Sequence, residues 1–400
     1  MSLGSLASKP LSAALFLAAL AAVTLYIFVL DPAARPLIDF DVYLQAAQRL
    51  LSGNDIYSQP YTTTDRAGRS VELFYLYPPF LASALSMVTF LGRDALKLVW
   101  CALSYAAVWV SVLCLSRVLA ASWLKSLSGL HRVCVVAFFA FCFEPLYVGI
   151  GDGQVTALVL SLICLCAVGL LTGSDWLVGG ALALAIQIKL SPILLLLAPV
   201  MFGRWRAVGW CAAVSVALLL FTLTLGGGAQ PFADFFRSVL ATADEQKLAD
   251  FAHNLRLSRA VLGPLGLDDS SAARFALKAA FLAAAVLGTA AIRRQPGLAS
   301  LRALGFLVIV MIVSAPILWF HHFAWCLVPL AILAMRPAAA GDARMRSLTI
   351  VLGLYFLLSQ SYLLIHWTIK AAPDLSSFAI LVPTAALLTV ALLVVRQRAP

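Results

Sequence analysis

Apolar residues along this chain come in long blocks, and a block of about 20 is what a helix needs to cross a bilayer. The blocks are Leu11–Leu30, Leu98–Leu119, Val133–Val148, Val155–Leu171, Trp176–Ile188, Ile193–Phe202, Val208–Leu225, Ala272–Ile292, Leu304–Leu318, Phe323–Met335, Leu348–His366 and Phe378–Val395. They predict an all-α polytopic membrane protein, a single integral domain over residues 1–400 with about twelve transmembrane helices (range 10 to 13). Trp176–Ile188 and Ile193–Phe202 are shorter than a full crossing, so they must tilt, be extended by their flanks or lie within protein. The first block follows Lys9 and exceeds the apolar core of a signal peptide, which predicts a retained anchor helix.

Two long polar segments interrupt the blocks, residues 31–77 and 226–271, predicted as outer loops. Within the first, Val42 to Leu51 has an amphipathic helical pattern that Gly53 is placed to end, and such a helix suits the membrane surface. Pro79 to Leu91 spans only about 20 Å as a helix at roughly 1.5 Å per residue. It starts at the pair Pro78-Pro79 and reads as a re-entrant or interfacial piece.

Composition and charge narrow the class. With 62% hydrophobic and 12% charged residues, the chain lies outside the range of water-soluble globular proteins. Its net charge of +10 is scattered between apolar runs, which argues against a nucleic-acid partner. The basic clusters Arg117/Lys125/Arg132, Arg204/Arg206, Arg293/Arg294/Arg302, Arg336/Arg344/Arg346 and Arg396/Arg398 instead set topology. Alternating twelve spans from an inner N-terminus puts every one inside, provided 79–91 does not cross. The eight cysteines sit in apolar stretches without CxxC or nearby ligand spacing, so neither a disulfide framework nor a metal site is expected. The sequence carries no P-loop, GxGxxG or HExxH, and no cofactor is expected.

Under this topology the polar residues that membrane burial does not explain converge on the outer face. They are Asp39 and Asp41, then Tyr75 and Tyr77, Asp152 and Gln154, Lys189, the pair His253-Asn254, and the pair His321-His322. Ionisable groups at membrane depth are costly and are functional candidates by default. A carboxylate held against the bilayer by the amphipathic segment is a candidate general base, against the ordinary alternative of a solvated loop aspartate. Lys189 lies between two short spans next to Pro192, placing a cation beside a phosphate or simply snorkelling to the interface. His321 and His322 sit at a helix break, suited to phosphate contact, proton handling or core packing. Gly151 to Gln154 is either part of a site or a plain turn.

Taken in order, Asp39-Phe40-Asp41-Val42-Tyr43, Ala46-Ala47, Gly53, Ile56-Tyr57, Tyr77-Pro78-Pro79-Phe80, Gly153-Gln154, Lys189-Leu190-Ser191-Pro192 and Trp319-Phe320-His321-His322 form a pattern. It resembles the bacterial membrane glycosyltransferases of family 87. These have the GT-C architecture and include mycobacterial mannosyltransferases acting on phosphatidylinositol mannosides. Thr156 stands where the family often has Asn, and the family's late polar element is echoed only loosely by His253-Asn254 and Ser258. The resemblance implies a GT-C fold with membrane-lying helices in the first outer loop. It also implies a polyprenyl-phosphate sugar donor, commonly mannose, and a glycolipid or glycan acceptor in the envelope. The reaction would invert the anomeric centre at the outer face of the plasma membrane, with Asp39 as base and Asp41 as the fallback. Lys189, His321 and His322 would hold the donor phosphate. Tyr43, Tyr75, Tyr77, Asp152, Gln154, His253 and Asn254 would line the substrate site. A lipid or solute transporter is the rival class; it would call for charges at mid-span depth and repeat symmetry, and the sequence displays neither. An assembly factor would lack ionisable groups converging on one face.

Overall fold

The computed structural model describes residues 10–65, 68–240, 261–262, 265–267, 270–295, 297–335, 342–361, 363 and 376–396. His253 and Asn254, with most of the second predicted outer loop, lie outside the described residues. The chain is almost wholly helical. In order come α1 (Pro10–Leu25), α2 (Ile38–Leu51), a hairpin of β1 (Tyr61–Thr64) and β2 (Ser70–Leu73), α3 (Pro79–Ser86) and α4 (Arg93–Leu119). Then follow α5 (Gly129–Phe141), α6 (Glu144–Gly151), α7 (Thr156–Thr172), α8 (Asp175–Ile188) and α9 (Trp205–Leu225). The last are α10 (Ser271–Arg293), α11 (Ala299–Val313), α12 (Leu327–Ala334), α13 (Asp342–Ser359) and α14 (Ser376–Arg396).

Local chemistry accounts for the boundaries. Ser128 accepts a hydrogen bond from His131 N–H and caps α5. Pro145 opens α6, where a missing N–H costs nothing. Gly173, at φ +78°, ends α7 in the left-handed conformation that a side chain would resist. At Gly179 the backbones of α8 and α9 meet so closely that an added Cβ would strike Trp210 Cβ at 2.6 Å and Cys211 N at 2.7 Å. Helix α4 packs on α7, α7 on α8 and α8 on α9, while α11 packs against α10 and α14. Beyond Ser300 and Arg302 near its start, helix α11 is apolar, and it is buried at almost every position, as expected of a helix at the centre of the bundle. Helices α9 and α10, by contrast, expose Val216, Leu220, Phe275 and Leu287, a surface suited to lipid.

The expected count of about twelve crossings is not confirmed. By length and composition, Pro10–Ala33, Arg93–Leu119, Trp205–Leu225 and Ser271–Arg293 can each cross a membrane. A fifth is possible if α5 and α6 are taken as one span, although the two are bent by 63° within the single span the pattern predicts at Val133–Val148. The remaining apolar helices, including α7, α8, α11 and the segments 191–201 and 320–334, are 10–17 residues long. They are broken at the loops that carry the polar landmarks, and that irregular backbone is packed within protein, as a membrane setting requires. Helix α3 has eight residues, about 12 Å at 1.5 Å per residue, too short to cross. Helix α2 begins four residues earlier than the pattern suggested, at Ile38, and buries Phe40, Asp41, Val42, Tyr43, Leu44, Ala46, Ala47 and Leu50. It is therefore anchored in protein along its inner face.

Candidate active site

The site is built where α2, the α6–α7 connection, the end of α8 and the short 3-10 segment Phe320–Cys326 come together. Its first element is the opening turn of α2. Asp39 and Asp41 both fall in that turn, where the helix dipole favours negative charge. The two are about 200° apart around the helix axis at roughly 100° per residue, so they face different neighbours. Asp41 is buried, 3% exposed, and accepts a two-pronged hydrogen bond from Arg93, with Nε 2.9 Å from Oδ1 and Nη2 2.6 Å from Oδ2. This ties α2 to the start of α4, and it commits both oxygens of the fallback base to a guanidinium.

Asp39 faces the connection between α6 and α7. Its backbone N–H donates to Asp152 O at 2.9 Å. Gly153, at φ +79°, lets that loop press under α2, since an added Cβ would meet Phe40 Cβ at 2.7 Å and Leu37 Cβ at 3.0 Å. Trp100 Nε1 donates to Gly153 O at 2.9 Å and fastens the loop from α4. Asp39 keeps part of its surface open but is densely ringed by protein. Loss of hydration and the neighbouring Asp152 carboxylate push its carboxyl up from 3.8 to about 7; a hydrogen bond from the Gln154 side chain and the Lys189 charge pull the other way.

Lys189 ends α8 in extended backbone, a break that Pro192 prolongs into a 3-10 turn. Its Nζ is 2.7 Å from His322 Nε2 and sits over the rings of Tyr77, 5.2 Å from the centroid, and Trp325, 5.7 Å away. Burial lowers its ammonium from 10.5 to about 8, with Asp39 opposing. His322 stacks on Trp325 at 4.9 Å and its Nδ1 accepts the Trp319 N–H at 3.2 Å, so the ring is fixed on three sides. His321 is also buried, packs edge-on against His322 at 4.6 Å, and its Nε2 has no hydrogen-bond partner among the described residues.

The other expected residues divide. Gln154 is 3% exposed; its Oε1 accepts from Tyr43 Oη at 3.1 Å and from Tyr77 Oη at 2.7 Å. Tyr75 is fully buried. Its hydroxyl donates to Pro78 O at 3.1 Å and accepts from Ala82 N–H at 3.1 Å, so it braces the start of α3. Tyr43, Tyr75 and Tyr77 stack edge-to-face or tilted within 4.8–6.3 Å, with Tyr57 joining through Tyr75 at 5.6 Å. The ones with surface still open are Asp39, Asp152 and Lys189; Gln154, Tyr43, Tyr75 and both histidines are buried behind them. Two hydroxyls not expected from the sequence, Thr156 Oγ1 and Ser191 Oγ two residues past Lys189, are buried and without hydrogen-bond partners among the described residues. An unpaired buried hydroxyl is costly and calls for a ligand or water. Thr156 lies beside His321 across Gly149, whose hypothetical Cβ would meet His321 Cβ at 3.2 Å and Thr156 Oγ1 at 3.6 Å. Among the described residues no three His, Cys, Asp or Glu side chains group as metal ligands.

The sequence matches the model of glycosyltransferase family 87 over residues 75–320. One characterised relative is a polyprenol-phosphate-mannose-dependent alpha-(1-2)-phosphatidylinositol pentamannoside mannosyltransferase of Mycolicibacterium smegmatis. It is 30% identical over 307 residues, covering 75% of this chain and 70% of that protein. A protein of the same name from Mycobacterium tuberculosis is 26% identical over 352 residues, covering 88% of this chain and 75% of the other. Among solved structures, ArnT from Cupriavidus metallidurans bound to undecaprenyl phosphate is similar at TM-score 0.46 and 13% identity, over 95% of this chain and 76% of that one.

Proposed function

The chain belongs to glycosyltransferase family 87 and is embedded in a membrane, and we propose from that footing that it moves a mannosyl group from a polyprenyl-phosphate donor to a glycolipid or glycan acceptor. Transfer takes place at the outer face of the plasma membrane with inversion. The observation that carries this reading is the meeting of a partly open carboxyl, Asp39, with the Lys189–His322 pair in one cluster. The names of the two mycobacterial relatives support the donor class.

The chemistry follows from the positions. An acceptor hydroxyl oxygen bonds to the anomeric carbon as the bond from that carbon to the phosphate oxygen breaks, and the electron pair leaves with the polyprenyl phosphate. The hydroxyl proton passes to Asp39, whose value of about 7 suits a base working near neutral pH. Lys189 offsets charge growing on the leaving phosphate, a contribution that a preorganised, water-poor site enlarges. His322 Nε2 lies against Lys189 Nζ and holds that side chain in register, and His321 Nε2, Thr156 Oγ1 and Ser191 Oγ, without hydrogen-bond partners among the described residues, are available to phosphate or sugar oxygens. Asp152, beside Asp39 and partly open, is placed to accept from an acceptor or donor hydroxyl.

The test is to incubate purified protein with a panel of polyprenyl-phosphate sugars and measure released polyprenyl phosphate. Release from the mannose donor with acceptor present is expected. Release from a different sugar alone would change the donor, and release from none by folded protein would overturn the reading. Reporters fused in 226–271 should lie outside and those at Arg293–Arg302 inside; the reverse would put the site on the wrong face.

A further inference from the structure

We propose that Gln154 is the positioning residue of Asp39, its side-chain amide locked by the hydroxyls of Tyr43 and Tyr77 so that the carbonyl faces the tyrosines and the NH2 faces the carboxylate. The inference rests on Asp39 serving as the base. Gln154 Oε1 has two lone pairs, and the two tyrosine hydroxyls, at 3.1 and 2.7 Å, take both. The amide nitrogen is then turned away from the tyrosines, toward the first turn of α2, and Gln154 is among the groups that hold the Asp39 carboxyl down. A flipped amide would set its carbonyl against an ionised carboxylate, so the tyrosines select the orientation that favours the ionised base.

Burial separates this role from substrate contact. Gln154 is 3% and Tyr43 0% exposed, whereas Asp39 and Asp152 keep open surface. The backbone repeats the arrangement, because the loop that carries Gln154 also accepts the Asp39 N–H through Asp152 O and is fastened by Trp100. The carboxyl is thus held from its main chain and its side chain by one three-residue segment. The charged or titratable groups facing Asp39 are Asp152, Lys189, Tyr43 and Tyr77. On α4, Arg93 is spent on Asp41, and Lys97 is buried next to Cys101.

Two readouts decide it. The first is the acid limb of the pH profile of kcat/KM. The second is infrared titration of the protonated Asp39 carboxyl, identified as the band missing in Asp39→Asn, which needs no sugar transfer at all. Gln154→Leu keeps the bulk and removes the donor, and is expected to move both upward by about one pH unit, since loss of a hydrogen bond to the charged form disfavours that form. Tyr43→Phe combined with Tyr77→Phe keeps the amide but frees it to turn, and should move both in the same direction by less. A fall in rate with an unmoved limb and an unmoved band would mean that Gln154 only packs or binds substrate, and a downward shift would mean the opposite amide orientation; either overturns the proposal. Should Gln154→Leu fail to fold, the double tyrosine variant decides by the same two measures. If wild-type protein transfers no sugar, or Asp39→Asn transfers at full rate, the assignment of the base fails while the infrared titration still reads the role of Gln154.

Discussion

Two carboxylates in the first turn of one helix, Asp39 and Asp41, have opposite surroundings. Asp41 is closed off and gripped by both arms of a guanidinium. Asp39 keeps an open side, has no ion pair among the described residues, and is pushed to about 7 by loss of hydration and a neighbouring carboxylate. The residue type is the same, so environment alone makes one a strut and leaves the other, the proposed base, free to titrate near neutral pH. The difference also shows how a short α-helical turn serves both ends, because residues two apart face away from each other.

The comparison predicts opposite outcomes for matched substitutions. The largest effect is expected from Asp39→Asn, which removes basicity while keeping shape and should reduce transfer by about 100-fold or more. The same change should raise stability at neutral pH. The folded value of about 7 lies above the ordinary 3.8, so the native state holds its proton more tightly, and stability is fully present below about pH 4 and lost as pH rises through about 7. Relief of that cost should amount to roughly 1–2 kcal/mol, less than the full shift implies because part of the side chain stays wet. It would be read as a raised Tm in detergent, and an unchanged or lowered Tm would remove the contrast with Asp41.

Second in size is Lys189→Ala. With the ammonium gone, use of the donor should fall by about tenfold or more in kcat/KM. The acid limb should also move up, because Lys189 is one of the groups that hold Asp39 down. Donor kinetics untouched by this change would separate Lys189 from the phosphate. Third is the pH profile itself. Transfer should rise as pH passes about 7, where Asp39 ionises, and decline as pH passes about 8, where Lys189 loses its proton, giving a narrow bell. Lys189→Arg should stretch the basic side, since guanidinium stays charged. The smallest effect on chemistry belongs to Asp41→Asn. Breaking its pairing with Arg93 should lower stability by about 1–2 kcal/mol, moderated because Arg93 is more than half exposed, with transfer per folded molecule kept within a few-fold. Transfer abolished in Asp41→Asn and retained in Asp39→Asn would exchange the two roles.

What was legible in the sequence was the set of chemically unusual residues and their order. Asp39, Lys189 and His322 stand out because charge at membrane depth is expensive, and the structure brings these three together. The start of α2 was less legible. Leu37 precedes it and offers no capping side chain, so the signal was confined to the two acids of its first turn. The hairpin 61–73 had a signal in the run Tyr61-Thr62-Thr63-Thr64 and the turn at Gly68, but a polar outer segment gave no reason to weigh it. The partner of Asp41 lies 52 residues away and the hydroxyls that orient Gln154 lie 111 and 77 away. Pairings at such separations have no period and no local propensity, so they are decided by packing alone. Short apolar runs likewise read as incomplete spans, but their breaks follow from the site they surround.

The contact between Lys189 and His322 closes across 133 residues, and Asp39 is laid down long before either. In terms of synthesis, the proposed base is made first and the imidazole that packs against the proposed phosphate-binding lysine last. A ribosome-bound chain ending before residue 322 has Asp39, the 152–154 loop and Lys189 but no imidazole against the lysine. On the proposed roles, donor lipid present in the membrane meets no complete site until most of the chain has been inserted, and a fragment cut upstream of Trp319 is expected to transfer no sugar however well its first helices assemble.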